Sequence, residues 1–587
     1  MDSLKKIVLA CFLVQMGFAQ EETLKWWNPE DHMLFVVEGQ AWPNEVKSYF
    51  DRLPERAEKT VRKAVWGLSR QPAGLSIRFW TNAERIHVKY KVKTEIHYKN
   101  ISALGVSGLD LYSKSYDGEW MRAWGESNFD SITNCVFKID DTSQLYKDYG
   151  KEYQLYLPLF NQVEWLEIGI RQHYFLDPLP VRKEKPIVAY GTSICQGANA
   201  SRSGMSWANI LGRKLERPLI NLGFSGNGRL EPEIIDLMTE IDAKLYILDC
   251  LPNLSPNKDD VYNLVLRAVK KIRKKRKSVP IIITAHQGFS DGQINAKNKR
   301  HSQILDKELK RAFEALKSEG VSNLYHIQNK QFGFSIDSYA DYGHPNDYGM
   351  MQYANVYEKL IREILHEPVG LITTTIPKTQ SRDIATYKWE ERHEDILELN
   401  NTNPPKICLF GDSIINFWGG KPSIATSNGT DSWNQVMNPL GIRNFGFGWD
   451  RIENVLWRVY HDELEGFQAE KIILMIGVNN LGVDDDVEIT DGLELLLEAI
   501  KQRQPNSDII LMGLLPTVGK EERILSLNRK ISQLADKSGV VYKDIGGTLL
   551  SGKGKADTSL FTDGLHPNAE GYNKLAKEFQ QVLKENK

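Results

Sequence analysis

The chain carries the same pair of short motifs twice, in the same order and at nearly the same separation. Residues 191–194 read GTSI and residues 341–344 read DYGH, whereas residues 411–414 read GDSI and residues 563–566 read DGLH. Ser193 lies 151 residues before His344, and Ser413 lies 153 residues before His566. Because 587 residues are too many for one hydrophobic core, this repetition predicts two similar domains in tandem, each with its own site.

Apolar runs alternate with helical stretches in both repeats. The runs are residues 187–190, 219–222, 245–248 and 281–284 in the first repeat, and residues 407–410, 472–476 and 509–512 in the second. Strands that are apolar throughout and lie between helices are typical of a parallel sheet covered on both faces. The sequence therefore predicts α/β domains, in which sites lie at the carboxyl ends of strands.

Serine, aspartate and histidine in this order suit nucleophilic catalysis. A serine hydroxyl is a weak nucleophile until a histidine accepts its proton and a carboxylate orients that histidine. The candidate catalytic residues are Ser193, Asp341 and His344 in the first repeat and Ser413, Asp563 and His566 in the second. Pro345 and Pro567 follow the histidines. Because proline favours the first position of a helix, we expect a helix to begin at each of them.

Acyl transfer also needs hydrogen-bond donors for the negative charge that develops on the carbonyl oxygen, each worth about 3 kcal/mol. Candidate oxyanion donors lie in residues 221–226 and 249–253 of the first repeat and in residues 444–448 and 477–480 of the second. Taken alone, each glycine is equally typical of a turn, and each asparagine of a loop residue that bonds to its own backbone. The ordered set, which occurs twice, favours catalysis.

At these residues the chain resembles the GDSL/SGNH hydrolase superfamily, whose four sequence blocks contribute the serine, a glycine amide, an asparagine and the Asp-x-x-His. The resemblance assigns the oxyanion role to Gly223 and Asn253 in the first repeat and to Gly446 and Asn479 in the second, and it implies flavodoxin-like α/β domains. The first repeat departs from the usual pattern at Thr192, where the family carries aspartate, and at residues 249–253, which read DCLPN. The second repeat departs at Asn480. Residues 108–112 read GLDLY and resemble the motif of a small β domain that precedes one branch of these esterases, and residues 445–451 resemble platelet-activating-factor acetylhydrolase subunits.

The sequence before the first repeat alternates apolar and polar residues, as in residues 77–80 and 86–92. A period of two is typical of β-strands, and the many aromatic residues here favour a β-sandwich. The expected organisation is a signal peptide at 1–19, an N-terminal β-sandwich domain at 20–182, a first hydrolase domain at 183–367, a linker at 368–382 and a second hydrolase domain at 383–587.

The N-terminus predicts secretion or export to the periplasm. Lys5 and Lys6 precede a short apolar run, and Ala19 offers a small residue for cleavage. No later segment is long and apolar enough for insertion into a membrane. Cysteines are too few for a disulfide framework, although pairing of Cys195 with Cys250 stays open.

Charge gives no reason to expect a nucleic acid partner. The chain has 74 Lys and Arg against 76 Asp and Glu. The basic run at residues 269–277 ends a predicted helix and contains no aromatic residue that could stack on a base. No cluster of His, Cys, Asp and Glu has metal-ligand spacing, and no glycine-rich phosphate loop follows a strand, so we expect no metal and no cofactor.

The resemblance implies a serine esterase that works through an acyl-enzyme. A secreted arrangement of two esterases resembles bacterial enzymes that remove acetyl groups from polysaccharides, so the expected substrate is an acetylated carbohydrate, with xylan or another hemicellulose favoured. Two alternatives stay open. One is a lipid-type esterase, such as a lysophospholipase or an acetylhydrolase, and the other is a chain with one active domain and one silent glycan-binding module. The oligomeric state is left open.

Overall fold

The structure is a computed structural model that describes residues 23–585. The predicted signal peptide therefore lies outside the described residues. Within them the chain divides into two compact units, residues 23–113 with 121–358 and residues 114–120 with those from 359 onward. Each unit is described by itself.

The N-terminal region of the chain forms two antiparallel sheets. Its strands are β1 (Leu24–Trp27), β2 (Val37–Glu38), β3 (Ser76–Thr81), β4 (Arg85–Val92), β5 (Asp110–Lys114), β6 (Trp120–Ala123), β7 (Gly125–Asn128), β8 (Thr133–Lys138), β9 (Lys151–Tyr156), β10 (Val163–Arg171) and β11 (Leu176–Pro178), with helices α1 (Lys63–Ser69), α2 (Ala103–Ser107) and α3 (Gln144–Tyr149). One sheet has the order β1-β10-β4-β8-β7, and the other has the order β11-β3-β9-β5-β6 with β2 on β3. Ile77 and Leu155 of one sheet share a buried cluster with Val88 and Ile168 of the other, which confirms the predicted sandwich.

The first α/β domain contains a parallel sheet with the strand order β13-β12-β14-β15-β16. Its elements are β12 (Ile187–Gly191), α4 (Ser193–Gln196), α5 (Trp207–Leu215), β13 (Leu219–Gly223), α6 (Pro232–Met238), β14 (Leu245–Asp249), α7 (Val261–Lys275), β15 (Ile281–Thr284), α8 (Ala296–Ser318), β16 (Leu324–Ile327) and α9 (Asp347–Leu365). Every residue of β12 and β14 is buried, as the continuous apolar runs predict.

The second α/β domain repeats this topology with the order β18-β17-β19-β20-β21, again parallel throughout. Its elements are α10 (Trp389–Thr402), β17 (Ile407–Gly411), α11 (Ser413–Asn416), α12 (Thr430–Ser432), β18 (Ile442–Gly446), α13 (Ile452–Tyr460), β19 (Lys471–Met475), α14 (Asp486–Arg503), β20 (Asp508–Met512), α15 (Glu521–Ser538), β21 (Val541–Lys543) and α16 (Ala569–Glu585). Both sheets have the strand order of flavodoxin-like folds, so the predicted fold class is confirmed.

The segment expected to be a linker packs into the second unit. Thr374 and Gln380 are buried, and the Gln380 side chain donates to the carbonyl oxygen of Gly448 at 2.9 Å. The Thr374 hydroxyl donates to the carbonyl oxygen of Glu488 at 2.6 Å. Threonine and proline content predicted an irregular segment, and burial of these side chains makes it part of the domain that follows.

No helix among the described residues is long and apolar enough to cross a membrane.

Candidate active sites

Each candidate nucleophile begins a short helix at the carboxyl end of an interior strand of its sheet. Ser193 follows β12 and Ser413 follows β17, and each serine is only 6% exposed. The preceding side chain caps the helix in both domains: Thr192 Oγ1 accepts from the Ile194 N–H at 3.3 Å, and Asp412 Oδ1 accepts from the Ile414 N–H at 2.9 Å. Thr192 therefore replaces the family aspartate without loss of the cap.

The first candidate triad is assembled. Ser193 Oγ lies 2.9 Å from His344 Nε2, and His344 Nδ1 lies 2.8 Å from Asp341 Oδ2. The other oxygen, Asp341 Oδ1, accepts from the N–H groups of Gly343 and His344 at 2.8 and 2.7 Å. Burial opposes ionisation of Asp341, but these donors and the imidazole hold its pKa below the ordinary value. The carboxylate is thus ionised and fixed where it can orient the imidazole.

The second candidate triad has the same geometry. Ser413 Oγ lies 2.8 Å from His566 Nε2, and His566 Nδ1 lies 2.6 Å from Asp563 Oδ2. Asp563 Oδ1 accepts from the N–H groups of Leu565 and His566 at 2.9 and 2.8 Å. Burial disfavours the charged form of Asp563, but the hydrogen bonds from Leu565 and His566 outweigh burial. The pKa of Asp563 is therefore held below its ordinary value. Both domains can therefore hold a proton acceptor within hydrogen-bond distance of a serine hydroxyl.

The helices after the two histidines do not begin at the prolines, which corrects that expectation. Helix α9 begins at Asp347 and α16 begins at Ala569, two residues after Pro345 and Pro567. Each proline instead forms an isolated β-bridge, with Tyr339 and with Phe561 respectively. The intervening asparagines cap the helices: Asn346 Oδ1 accepts from the Gly349 N–H, and Asn568 Oδ1 accepts from the Gly571 N–H, both at 3.1 Å. An asparagine cap competes well with proline for fixing a helix start.

The two candidate glycines pack against the nucleophile helices. Gly223 ends β13 and donates its N–H to Asn221 Oδ1 at 2.8 Å, and Gly446 ends β18 and donates its N–H to Asn444 Oδ1 at 2.8 Å. A Cβ at Gly223 would lie 2.3 Å from the backbone nitrogen of Gln196. These N–H groups already have an acceptor, so the oxyanion role of both glycines stays a prediction, whereas their packing role is evident.

Other N–H groups at the two sites have no acceptor among the described residues. They belong to Ser193 and Ser413, and to Gly226 and Trp449, which lie three positions after the candidate glycines. Gly226 and Trp449 share a left-handed backbone, with φ of 68° and 62°. Sequence reasoning singled out neither residue, although Gly226 lies in the candidate stretch 221–226. A glycine in a left-handed turn is a detectable signal at position 226, but tryptophan at position 449 carries none.

The candidate asparagines are held in place beside these groups. Asn253 Oδ1 accepts from the Gly228 N–H at 3.1 Å, and Asn479 Nδ2 donates to the carbonyl oxygen of Asp450 at 2.9 Å. An amide nitrogen carries two hydrogens, so the Asn479 side chain retains one for a ligand, and Asn253 retains both. Their oxyanion role stays a prediction that this orientation permits.

A buried arginine binds the carbonyl oxygen of each candidate glycine, and sequence reasoning missed both arginines. Arg52 of the N-terminal region donates Nη1 to the oxygen of Gly223 at 2.9 Å, and its guanidinium carbon lies 5.1 Å from the centre of the Phe224 ring. Arg392 of α10 donates Nε to the oxygen of Gly446 at 2.9 Å, and its guanidinium carbon lies 5.1 Å from the centre of the Phe447 ring. Burial lowers the pKa of both arginines to about 10, so both remain cations at neutral pH.

The cysteines of the described residues are free and buried. Cys195 Sγ lies 3.6 Å from Asn221 Oδ1, and Cys250 Sγ lies 3.6 Å from the carbonyl oxygen of Tyr190. Their pairing, which the sequence left open, is absent from the described chain. Across residues 23–585, no group of three or more His, Cys, Asp or Glu side chains is arranged to hold a metal ion.

Replacing either packing glycine should slow catalysis. In Gly223→Ala or Gly446→Ala, the new Cβ would meet backbone at 2.3 Å, Gln196 N in one case and Asn416 N in the other. The nucleophile helix must then shift, and displacement of a reacting group by about 1 Å can cost 100-fold. We expect turnover of p-nitrophenyl acetate at the altered site to fall by about 10- to 100-fold.

The matched control for these variants is Gly→Ala at glycines with room for a Cβ. The nearest atom to a Cβ at Gly212 lies at 3.6 Å, and nothing lies within 4 Å of one at Gly547. Gly212→Ala and Gly547→Ala should retain full turnover. Equal turnover in the Gly223→Ala variant and in its control would contradict the packing role.

Profiles of known families match all three regions of the chain. The GDSL-like lipase/acylhydrolase family matches residues 184–362 and again residues 409–574. A profile described as the N-terminus of SGNH-hydrolase-type esterases matches residues 24–176. These matches cover both candidate triads and the sandwich.

Individual relatives agree with the profiles. A solved structure described as a GDSL-like lipase from Bacteroides ovatus is 31% identical, covers 59% of this chain and 98% of its own, and superposes with a TM-score of 0.54. Platelet-activating factor acetylhydrolase IB subunit alpha2 is 28% identical in Rattus norvegicus and 27% identical in Homo sapiens, each over 201 residues. That stretch covers 33% of this chain and 83% of each subunit.

Proposed function

Because the chain belongs to the GDSL-like lipase/acylhydrolase family and is an esterase, we propose that it removes O-acetyl groups from carbohydrates, with xylan or another hemicellulose as the favoured substrate. The observation that carries this proposal is an exposed aromatic side chain on a segment that carries or adjoins candidate site residues in each domain. Tyr342 lies between Asp341 and His344 and is 59% exposed, and Trp449 is 52% exposed. An aromatic face that is open to water suits the apolar face of a sugar ring.

In the proposed reaction, Ser193 or Ser413 attacks the acetyl carbonyl while its histidine accepts the hydroxyl proton. The histidine then donates that proton to the departing sugar oxygen, and the acetyl group stays on the serine. Water, deprotonated by the same histidine, releases acetate. The oxyanion is bound by nearby N–H groups and by the amide of Asn253 or Asn479, and each such donor contributes about 3 kcal/mol to lowering the barrier.

Acetyl is the proposed acyl group because the relatives of the second domain are named acetylhydrolases. The proposal assigns catalysis to both domains, since each has a serine hydroxyl within 3 Å of an imidazole that is fixed by a carboxylate. We further propose that the reaction takes place outside the cytoplasm, on the strength of the N-terminal sequence alone.

Release of acetate from defined esters tests the proposal. Acetylated xylo-oligosaccharides are compared with a series of p-nitrophenyl esters from acetate to palmitate, using the unaltered chain and the Ser193→Ala and Ser413→Ala variants. We expect acetate release from the sugars in both single variants, and a steep loss of activity as the acyl chain lengthens. If the acetylated sugars stay intact while the palmitate ester is cleaved, the substrate is a lipid-type ester and the carbohydrate proposal fails.

A further inference from the structure

A cavity of about 470 Å³, which we call the side cavity, lies next to residues 341–344 of the first α/β domain, which we call the catalytic loop. It is bounded by the segment that follows β15, by the first turns of α8 and by the segment that follows β16. Its lining includes Phe289, Gln293, Gln303, Asp306, Asn329 and Tyr339. The volume lies within the roughly 300–1,000 Å³ of small-molecule pockets in proteins.

One wall of the side cavity also supports the catalytic loop. Gln287, Phe289 and Ser290 line the cavity. The Gln287 side chain donates to the carbonyl oxygen of Gly343 at 2.7 Å, and the Ser290 N–H donates to that of Tyr342 at 3.0 Å. These acceptors lie between Asp341 and His344, so a single segment separates the cavity from the catalytic dyad.

An aromatic surface links the catalytic loop to the side cavity. The exposed ring of Tyr342 stacks on the ring of Phe289, with 5.8 Å between centres and 8° between planes. Phe289 in turn lines the cavity. This stacked pair therefore reaches from the catalytic loop to the cavity, and the exposed Tyr342 ring can contact a sugar unit of a chain that lies between Ser193 and the cavity.

The chemistry of the lining suits a ligand rich in hydroxyl groups. The amides of Gln293 and Gln303 are exposed and can both donate and accept, as sugar hydroxyls can. The Asp306 carboxyl accepts from the His286 N–H at 2.8 Å with Oδ1, which leaves Oδ2 for a further contact. Burial raises the pKa of Asp306 to about 7, so near neutral pH this carboxyl can either donate or accept.

The equivalent place in the second α/β domain holds a smaller cavity of about 260 Å³. The backbone arrangement is repeated: Asn528 Oδ1 accepts from the Leu514 N–H at 2.8 Å, as Asp306 does from His286. The Val518 N–H donates to the carbonyl oxygen of Gly564 at 2.9 Å, as Ser290 does to that of Tyr342. The lining differs, since Leu514, Pro516, Ile524, Leu525 and Leu550 make the second cavity more apolar. The polar lining thus distinguishes the first domain.

We infer that the side cavity binds an unmodified sugar unit of the same glycan chain whose acetylated unit lies at Ser193. This inference rests on the proposed carbohydrate function and extends it, because it makes the first domain prefer acetylated oligosaccharides over acetylated single sugars.

Binding of xylohexaose without acetyl groups tests the side cavity separately from catalysis. Titration calorimetry should detect binding to the full chain, and hydrogen exchange should slow in residues 287–303 and 329–339. The Gln293→Ala/Gln303→Ala variant should weaken binding by about tenfold. Lys297→Ala, on the same helix as Gln303 and exposed, does not line the cavity and is the matched control.

Kinetics then link the cavity to Ser193. In a Ser413→Ala background, the double glutamine variant should raise KM for acetylated xylohexaose about tenfold relative to KM for acetylated xylose. No slowing of exchange around the cavity, or equal weakening by Lys297→Ala, would overturn the inference while hydrolysis of acetylated xylan still upheld the proposed function. Intact acetylated sugars together with xylohexaose bound in the cavity would instead overturn the proposed function and the link to Ser193.

Discussion

The Ser193→Ala/Ser413→Ala double variant should lose esterase turnover by about 10⁵- to 10⁶-fold, as expected when a serine nucleophile that acts with its histidine is removed. Each single variant should keep the activity of the other domain. The reason is geometric: each serine has its own imidazole, at 2.9 Å for His344 and 2.8 Å for His566, so neither nucleophile can replace the other. Turnover of p-nitrophenyl acetate by the four proteins measures both contributions.

Covalent labelling counts the nucleophiles independently of turnover. A fluorophosphonate should add twice to the unaltered chain, once to each single variant and not at all to the double variant, as read by intact-mass spectrometry. Ser318→Ala and Ser551→Ala, at exposed or partly exposed serines of the two domains, are matched controls that should label twice. A single adduct on the unaltered chain, unaffected by Ser413→Ala, would leave the second domain as the silent module.

The sheets and triads could be predicted from the sequence because the patterns that indicate them are local or occur twice. Fully buried strands read as continuous apolar runs, and the run at 187–190 became β12 with every residue buried. Asp341 and His344 lie three residues apart, so one loop brings them together. Contact between that loop and Ser193 is long-range, and it was inferred from the recurrence of the same order around Ser413 and from the resemblance to a known family.

The residues that support the two sites could not be predicted from the sequence, because they come from distant parts of the chain. Arg52 lies 171 residues before Gly223, and nothing near either residue marks the pair. Trp449 has a positive φ, a backbone conformation that is found mostly at glycine and asparagine. Proline favours the first position of a helix, so helices were expected to begin at the prolines after the histidines. They begin two residues later because the side chains of Asn346 and Asn568 cap them.

Removal of Arg458 should destabilise the second α/β domain by about 3–5 kcal/mol, the cost of breaking a buried ion pair. Arg458 of α13 lies 3.0 Å from Asp450 Oδ2 and 2.7 Å from Glu463 Oε2, and all three side chains are 0% exposed. Its guanidinium also lies 3.9 Å from the centre of the Phe447 ring. Arg458→Met keeps the apolar volume but leaves two carboxylates without their cation.

Residual esterase activity against urea, measured in a Ser193→Ala background, reports unfolding of the second domain alone. The midpoint should fall sharply for Arg458→Met. The control is Lys530→Met, which breaks a surface pair with Asp486 at 3.0 Å and should cost less than about 1 kcal/mol. Adding Asp450→Asn and Glu463→Gln to Arg458→Met should recover part of the loss, because the two carboxylates that have lost Arg458 are then replaced by neutral amides.

The loss of folding stability in Arg458→Met should be larger at high pH than at low pH. Burial raises the pKa of Asp450, and the Arg458 cation opposes that rise, so removing the cation raises the pKa further. A carboxyl with a raised pKa in the folded state binds its proton more tightly there than in the unfolded state. Folding stability is therefore lost as the pH rises toward the folded-state pKa, and regained on acidification. The urea midpoint of Arg458→Met should lie closer to that of the parent at pH 5 than at pH 8, and a deficit that is equal at both would show that lost packing, not buried charge, is responsible.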